Sequence, residues 1–196
     1  MYDGKIGLYL LEQVEQAREF IAEQEFDTAI YCLREALGTL KGVEETYSEE
    51  VVKMCKLLGL CYRKKNMLEE GIKALRKAEE LCRKKYLKKN DIFWRRELAI
   101  CYVNEAIIYD SQEKFNKAIG LYENAIELFK ELEDNENRVK AMLSLGVAYS
   151  KVNDNETVKA LYEEALNIIN SDFTLEGYRV LFYKMQEDIL NKKEKI

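Results

Sequence analysis

The 196-residue chain contains no proline and no histidine, and only 9 glycines. Without proline, nothing in the sequence forces a helix to break, and scarce glycine leaves little cost to propagating one. The lack of histidine removes the commonest general acid/base near neutral pH and the commonest transition-metal ligand. No glycine-rich phosphate loop and no serine or cysteine in a nucleophile motif is present, so no catalysis is expected. Paired acids such as Glu69-Glu70 and Glu163-Glu164 are chain neighbours, which point apart on a helix. Cys32, Cys55, Cys61, Cys82 and Cys101 are odd in number, irregularly spaced and free of any Cys-x-x-Cys. That excludes a disulfide framework as the organising principle, and neither a metal nor another cofactor is expected. Long apolar runs are missing too: the longest, Leu98 to Val103, falls far below the roughly 20 residues that span a bilayer. With no secretory leader in view, a cytoplasmic protein without a membrane partner is expected.

What the chain has is helix-forming material. Hydrophobic residues make up 47% and charged residues 34%, enough apolar content for a continuous core and enough charge to clothe it. Within this composition one pattern recurs four times: Ala17, Phe20, Ala29, Leu33, Ala36; Gly59, Tyr62, Gly71, Leu75, Ala78; Ala106, Tyr109, Ala118, Tyr122, Ala125; Gly146, Tyr149, Val158, Tyr162, Ala165. The internal spacing is identical in every copy, whereas the interval between copies varies. Antiparallel helices approach to roughly 8–10 Å only where facing side chains are small. The aromatic three positions on shares that face and fills the space beside the contact. Each copy therefore reads as a helical hairpin that must stack on its neighbour to bury both faces.

This pattern resembles the tetratricopeptide repeat, most closely in Leu58-Gly59 with Tyr62 and in Leu145-Gly146 with Tyr149. The likeness covers about residues 10–170. The repeats are longer than the usual 34 residues and lack the closing proline, features similar to the repeats of the peptide-controlled Rap and PlcR-like regulators of Gram-positive bacteria. The fold expected is all-α: a right-handed superhelix, or α-solenoid, of four hairpins in a single domain over 1–196. The hairpins are predicted at about 5–42, 49–87, 91–132 and 136–170, with the third carrying the longest helices. Asp27 and Ser48 are expected N-caps, and Glu23–Asp27, Asn66, Ser111–Lys114 and Asn153–Asn155 are expected turns. A last helix over 174–192, with Leu175, Tyr178, Leu181, Phe182, Met185 and Ile189 on one stripe, is expected to cap the array before Lys192–Lys195.

The resemblance also implies where a ligand would bind. The inner face of the superhelix would receive Val14 and Arg18 from the first repeat. The second would add Lys53, Lys56, Leu60, Arg63 and Lys64, and the third Ile100, Val103, Asn104, Ile107 and Asp110. The fourth would contribute Lys140, Leu143, Ser144, Val147 and Lys151. A groove so lined, apolar in the middle and basic at its flanks, suits a peptide or protein segment with apolar side chains and a negative charge. Asn104 can both donate to and accept from one peptide unit. The family's dicarboxylate clamp is matched only by Lys56 and Asn104, since Leu60 and Ile100 replace its other polar members.

Three further features bear on partners. The helix from Leu98 to Tyr109 is apolar nearly all round, so both faces are expected to be covered, by the chain itself or by a docked segment. Between Arg76 and Arg96 nine basic residues face three acids, with Tyr86, Phe93 and Trp94 interleaved. A net charge of −5 and the favourable placement of lysines near a helix C-terminus make a solvated rim the better reading than a nucleic-acid site. The acids Glu44, Glu45, Glu49 and Glu50, and again those from Glu123 to Glu136, leave room for self-association of an acidic edge with a basic one. An interaction module that binds a peptide or protein segment is the first expectation; a scaffold assembling through its repeat ends is the alternative.

Overall fold

The computed structural model describes residues 3–89 and 91–193, with side chains described over 5–88 and 91–184. Asn90, predicted to open the third hairpin, lies outside the described residues, as do the side chains of Met185, Ile189 and Lys192–Lys195. Helices are α1 (Asp3–Ala22), α2 (Phe26–Thr39), α3 (Ser48–Lys64), α4 (Leu68–Lys89), α5 (Ile92–Ser111), α6 (Phe115–Glu131), α7 (Asn135–Lys151), α8 (Asn155–Ser171) and α9 (Glu176–Lys193). A short 3-10 turn, Phe173–Leu175, precedes α9, and no strand occurs among the described residues. No helix among them is long and apolar enough to cross a membrane. The chain divides into two compact units, Met1–Ile108 and Tyr109–Ile196, the division falling within α5.

The repeated aromatic closes the first helix of each hairpin through its backbone. Carbonyls of Phe20, Tyr62, Tyr109 and Tyr149 accept from the N–H five residues on, at 2.7, 2.8, 2.9 and 3.1 Å. In each case the residue just before that donor is left-handed: Gln24, Asn66, Glu113 and Asn153 have φ of 64°, 59°, 58° and 63°. This is a helix C-terminal closure that satisfies the last carbonyls and reverses the chain. Phe129 and Glu133 repeat it between α6 and α7, with Asp134 N bonded to Phe129 O at 2.9 Å. The same tight turn thus links hairpins as well as the helices within them.

Small residues bring the helices together as their spacing requires. A Cβ on Gly71 of α4 would lie 3.4 Å from the carbonyl oxygen of Gly59 in α3, so these two backbones nearly touch. The first unit's core gathers Leu33, Met54, Leu75, Cys55, Cys61, Cys82 and Cys101, all essentially inaccessible. All five cysteines are free thiols; Cys32 alone is half-buried. Burial pushes the Cys55 and Cys61 thiols up to about 11, so they are protonated and inert near neutrality. In the second unit Tyr162 meets Phe182 edge to face, centroids 5.3 Å apart, within a core of Val139, Met142, Val158, Ala165 and Ile169.

Several local expectations are corrected. Asp27 lies inside the first turn of α2 and bonds Lys65 Nζ at 2.7 Å; Glu25 holds the N-cap position, its carboxylate accepting from the Thr28 hydroxyl at 3.2 Å and capping no backbone N–H. Ser48 is the first residue of α3, buried, with its hydroxyl donating to the Glu45 carbonyl at 2.6 Å. The effective caps are Asp134 and Asp154, which accept from Asn137 N and Thr157 N at 3.3 and 3.1 Å. The longest described helix is α4, with 22 residues, in the second hairpin and not the third. Along the predicted cap, Leu175 of the 3-10 turn and Phe182 of α9 are buried and Tyr178 half-buried, but Leu181 is turned outward.

Candidate functional site

In the first unit the residues that the repeat register places on one face come chiefly from α5 and α3. Ile100, Val103, Asn104 and Ile107 of α5 are spaced three and four apart and are all half-buried, while the remainder of Leu98–Tyr109 is buried. This stripe is therefore only partly covered, which departs from the expectation of a helix enclosed on every side. Leu60 and Arg63 of α3 face it. Together with Gly59, Leu75 and Ile108, these two and Asn104 and Ile107 line a notch of about 40 Å³. That volume is far below the 300–1,000 Å³ of a small-molecule site and suits the end of one side chain.

Polarity in the notch is unspent. Asn104 and Arg63 are half-buried, yet among the described residues neither side chain has a hydrogen bond or ion pair within the protein. Lys53, half-buried two turns earlier on α3, is likewise without an acid. Lys56 is different: its ammonium donates to Glu97 Oε2 at 2.5 Å, with both side chains mostly buried. The one lysine that matches the family's clamp is thus already neutralised from α5. Replacing Glu97 by glutamine strands that ammonium; the expected result is a loss of about 2 kcal/mol in urea unfolding, because an uncompensated half-buried charge is left behind. An unchanged midpoint would show that water already screens the pair.

Other predicted positions are occupied in different ways. Val14 is buried in the core and so cannot line a groove. Arg18 is exposed and pairs with Glu15 at 2.8 Å along α1, while Lys64 is exposed at the end of α3. In the second unit Asp110 accepts from the Tyr122 hydroxyl at 2.9 Å, and burial raises its carboxyl above the ordinary range. Lys140 pairs with Glu136 at 2.7 Å and lies 5.8 Å from the Tyr178 ring centre. Leu143 packs half-buried against the second core, Ser144 Oγ donates back to the Lys140 carbonyl at 3.3 Å, and Val147 and Lys151 are exposed.

The basic stretch on α4 is largely used internally. Lys84 bonds the Glu45 carboxylate, Lys85 donates to the Glu45 carbonyl at 2.8 Å, and Lys77 lies 3.8 Å from Glu44. Arg83 pairs with Glu79 at 2.7 Å and donates to the Tyr102 hydroxyl at 2.6 Å; Arg95 donates to the Tyr86 hydroxyl at 2.9 Å. The acids Glu44 and Glu45, read from sequence as an edge for another molecule, thus serve the loop after α2.

Sequence reasoning passed over Glu105. It is 3% exposed, with Arg76 Nε 3.8 Å from its Oε2 and no donor within reach of Oε1. Burial, and then the neighbouring carboxylate of Glu79, pushes its carboxyl up to about 7, and the protonated form donates to Glu79. A signal was present: repeats two and four place Leu58 and Leu145 just before the small residue, where the third has Glu105.

Comparison with known proteins agrees with this architecture. Residues 52–85 and 97–171 match the tetratricopeptide repeat, together more than half of the chain. No curated protein matches it in sequence. Among solved structures, BtubC (BKLC) from P. vanneervenii superposes with a TM-score of 0.69 at 19% identity, covering 94% of this chain and 78% of that one. The apo form of RapI gives 0.75 at 13% identity over 94% of this chain and 66% of its own. The yeast histone chaperone Hif1, described as a scaffold recruiting protein complexes to core histones, gives 0.73 at 14% identity over 99% and 98%. Likeness at such identities concerns the fold alone. With the fourfold register, the hairpins it produces and both family matches in agreement, the chain belongs to the tetratricopeptide-repeat family.

Proposed function

We propose that this chain is a non-catalytic interaction module that binds a peptide or protein segment along the α3 and α5 face of its first unit. The observation that carries the reading is the notch itself. Two apolar walls, Leu60 and Ile107, flank an amide and a guanidinium that make no bond within the protein among the described residues. Neither group has an atom sealed from water, so a partner can take up their hydrogen bonds without first breaking one within the protein. The tetratricopeptide fold supports a protein-binding role. A sensory part in a bacterial transcriptional or signalling regulator is the specific form of the proposal, supported by the fold shared with RapI.

An array of random dodecapeptides tests it. Leu60→Asp places a carboxylate three residues before Arg63 on α3, where it can occupy the guanidinium. The expected result is that purified protein binds a subset of the array and that this variant loses about tenfold or more of the signal with its melting temperature kept. Equal binding by the variant would remove the notch from the reading.

Exposed apolar side chains on the first hairpin and on the 3-10 turn and α9 that follow the last one support a second reading, a scaffold that assembles through its ends. Leu8, Leu11 and Tyr31 are exposed in the one, Phe173, Val180 and Tyr183 in the other. Sedimentation equilibrium over a range of concentrations separates the two: a constant monomer mass favours the groove, and a rising mass without peptide binding favours assembly.

A further inference from the structure

The charges around the notch select among ligands. Glu97 is spent on Lys56, Glu105 lies against Arg76 and Glu79, and Glu15 pairs with Arg18. Elsewhere half-buried cations are matched, as Arg138 is by Glu164 at 2.5 Å and Arg179 by Glu176 at 2.9 Å. Arg63 is not. It stands beside the unpaired Asn104, with unpaired Lys53 and Lys64 on the same helix. The face therefore offers free positive charge beside apolar walls.

We infer, building on the groove reading, that the notch recognises an internal aspartate or glutamate side chain next to an aliphatic residue in an extended segment of a partner protein. Arg63 takes the carboxylate through its planar fork, which matches two oxygens at once. Asn104 holds the adjoining peptide unit by one donor and one acceptor. Leu60 and Ile107 receive the aliphatic neighbour, whose size the small notch limits. A chain-terminal carboxylate is the poorer ligand. Gripping a terminus with its side-chain acid takes two free cations at one point, and Lys56, the second candidate, is held by Glu97.

The test uses the full chain and a peptide array whose matched sets are C-terminally amidated. Matched sets carry Asp or Glu, the corresponding Asn or Gln, or Lys beside Leu, Ile or Val; a further set lacks internal acids but keeps a free C-terminus. Acidic-aliphatic members are expected to bind about tenfold better than their amide counterparts, the difference one charge-assisted pair makes. That preference weakens with added salt. Arg63→Gln erases the preference, Arg63→Lys restores part of it, and Asn104→Ala weakens all sets alike. Binding without an acid preference, or a preference for the free-terminus set, overturns the inference and leaves the groove reading standing. Absence of binding to any set overturns the groove reading and this inference with it.

Discussion

Replacing Glu105 with leucine makes the protein more stable, by about 3 kcal/mol above neutral pH and by little in mild acid. The carboxyl titrates at about 7 in the folded chain, against 4.5 for an ordinary glutamate, because burial and the adjacent Glu79 both disfavour its charge. A raised folded value means that stability from this group is fully present below the unfolded value and is lost as pH climbs through the folded one. Ionisation costs the folded state most, since Arg76 of α4 stands 3.8 Å from Glu105, too far for a tight ion pair, and Arg83 is committed to Glu79. Glu105→Gln separates charge from volume: it keeps the shape, donates permanently to Glu79, and gives a similar gain at high pH. The measurement is the urea midpoint of wild type and both variants from about pH 5 to about pH 8, read as differences so that other carboxylates cancel. A difference between wild type and Glu105→Gln that stays constant across that range would show that the carboxyl does not titrate there.

The hairpins were legible because their determinants are local. Helix periodicity, small residues at fixed spacing and a polar pair at each turn are all properties of neighbouring residues, and the C-terminal closures reuse the carbonyl of the same aromatic that marks the pattern. The N-caps at Asp27 and Ser48 failed for a related reason. After the left-handed Glu133 and Asn153 the cap position falls on Asp134 and Asp154, but after Gln24 it falls on Glu25, so Asp27, two residues on, pairs with Lys65, while Ser48 is already inside α3 and donates to the Glu45 carbonyl. The length of α4 was missed because Arg83–Lys89 reads as a charged rim, yet lysines propagate a helix and the acids of the loop after α2 hold them. At the candidate site, the repeat register carried Leu60, Arg63, Asn104 and Ile107 to one notch although Arg63 and Asn104 lie 41 residues apart. It could not foresee that Glu97 spends Lys56 or that Val14 is buried, since both depend on how consecutive repeats pack and not on the pattern inside one. Gln16 in the first repeat shows why Glu105 was easy to overlook: the equivalent position there is polar and exposed.

Gly146→Ala is expected to destabilise the protein by about 3 kcal/mol, even though alanine gains about 1 kcal/mol of helix propensity over glycine. An added Cβ would stand 2.5 Å from Cε1 of Tyr162 and 3.0 Å from its Cζ. A ring cannot yield there as an alkyl end does. Tyr162 is 1% exposed and backs onto Phe182, so retreat of the ring displaces a second aromatic. The same substitution at the other helix contacts grades the argument. At Gly59 the Cβ meets the Leu75 branch carbon at 2.7 Å, a semi-rigid obstacle, and an intermediate loss follows. At Gly71 it meets the terminal methyl of Ile108 at 2.8 Å, which can rotate aside, so the change is close to neutral. Gly120 in α6 has nothing within 4 Å, and alanine there stabilises by about 1 kcal/mol. Urea unfolding of the four variants should therefore rank Gly146, Gly59, Gly71 and Gly120 from most to least damaging. Tyr162→Leu, which removes the ring, should recover much of the Gly146→Ala penalty in the double variant beyond what the two single changes predict additively. If Gly146→Ala proved as mild as Gly71→Ala, the ring would have room to move, and close helix approach would not be the reason for a small residue at this repeated position.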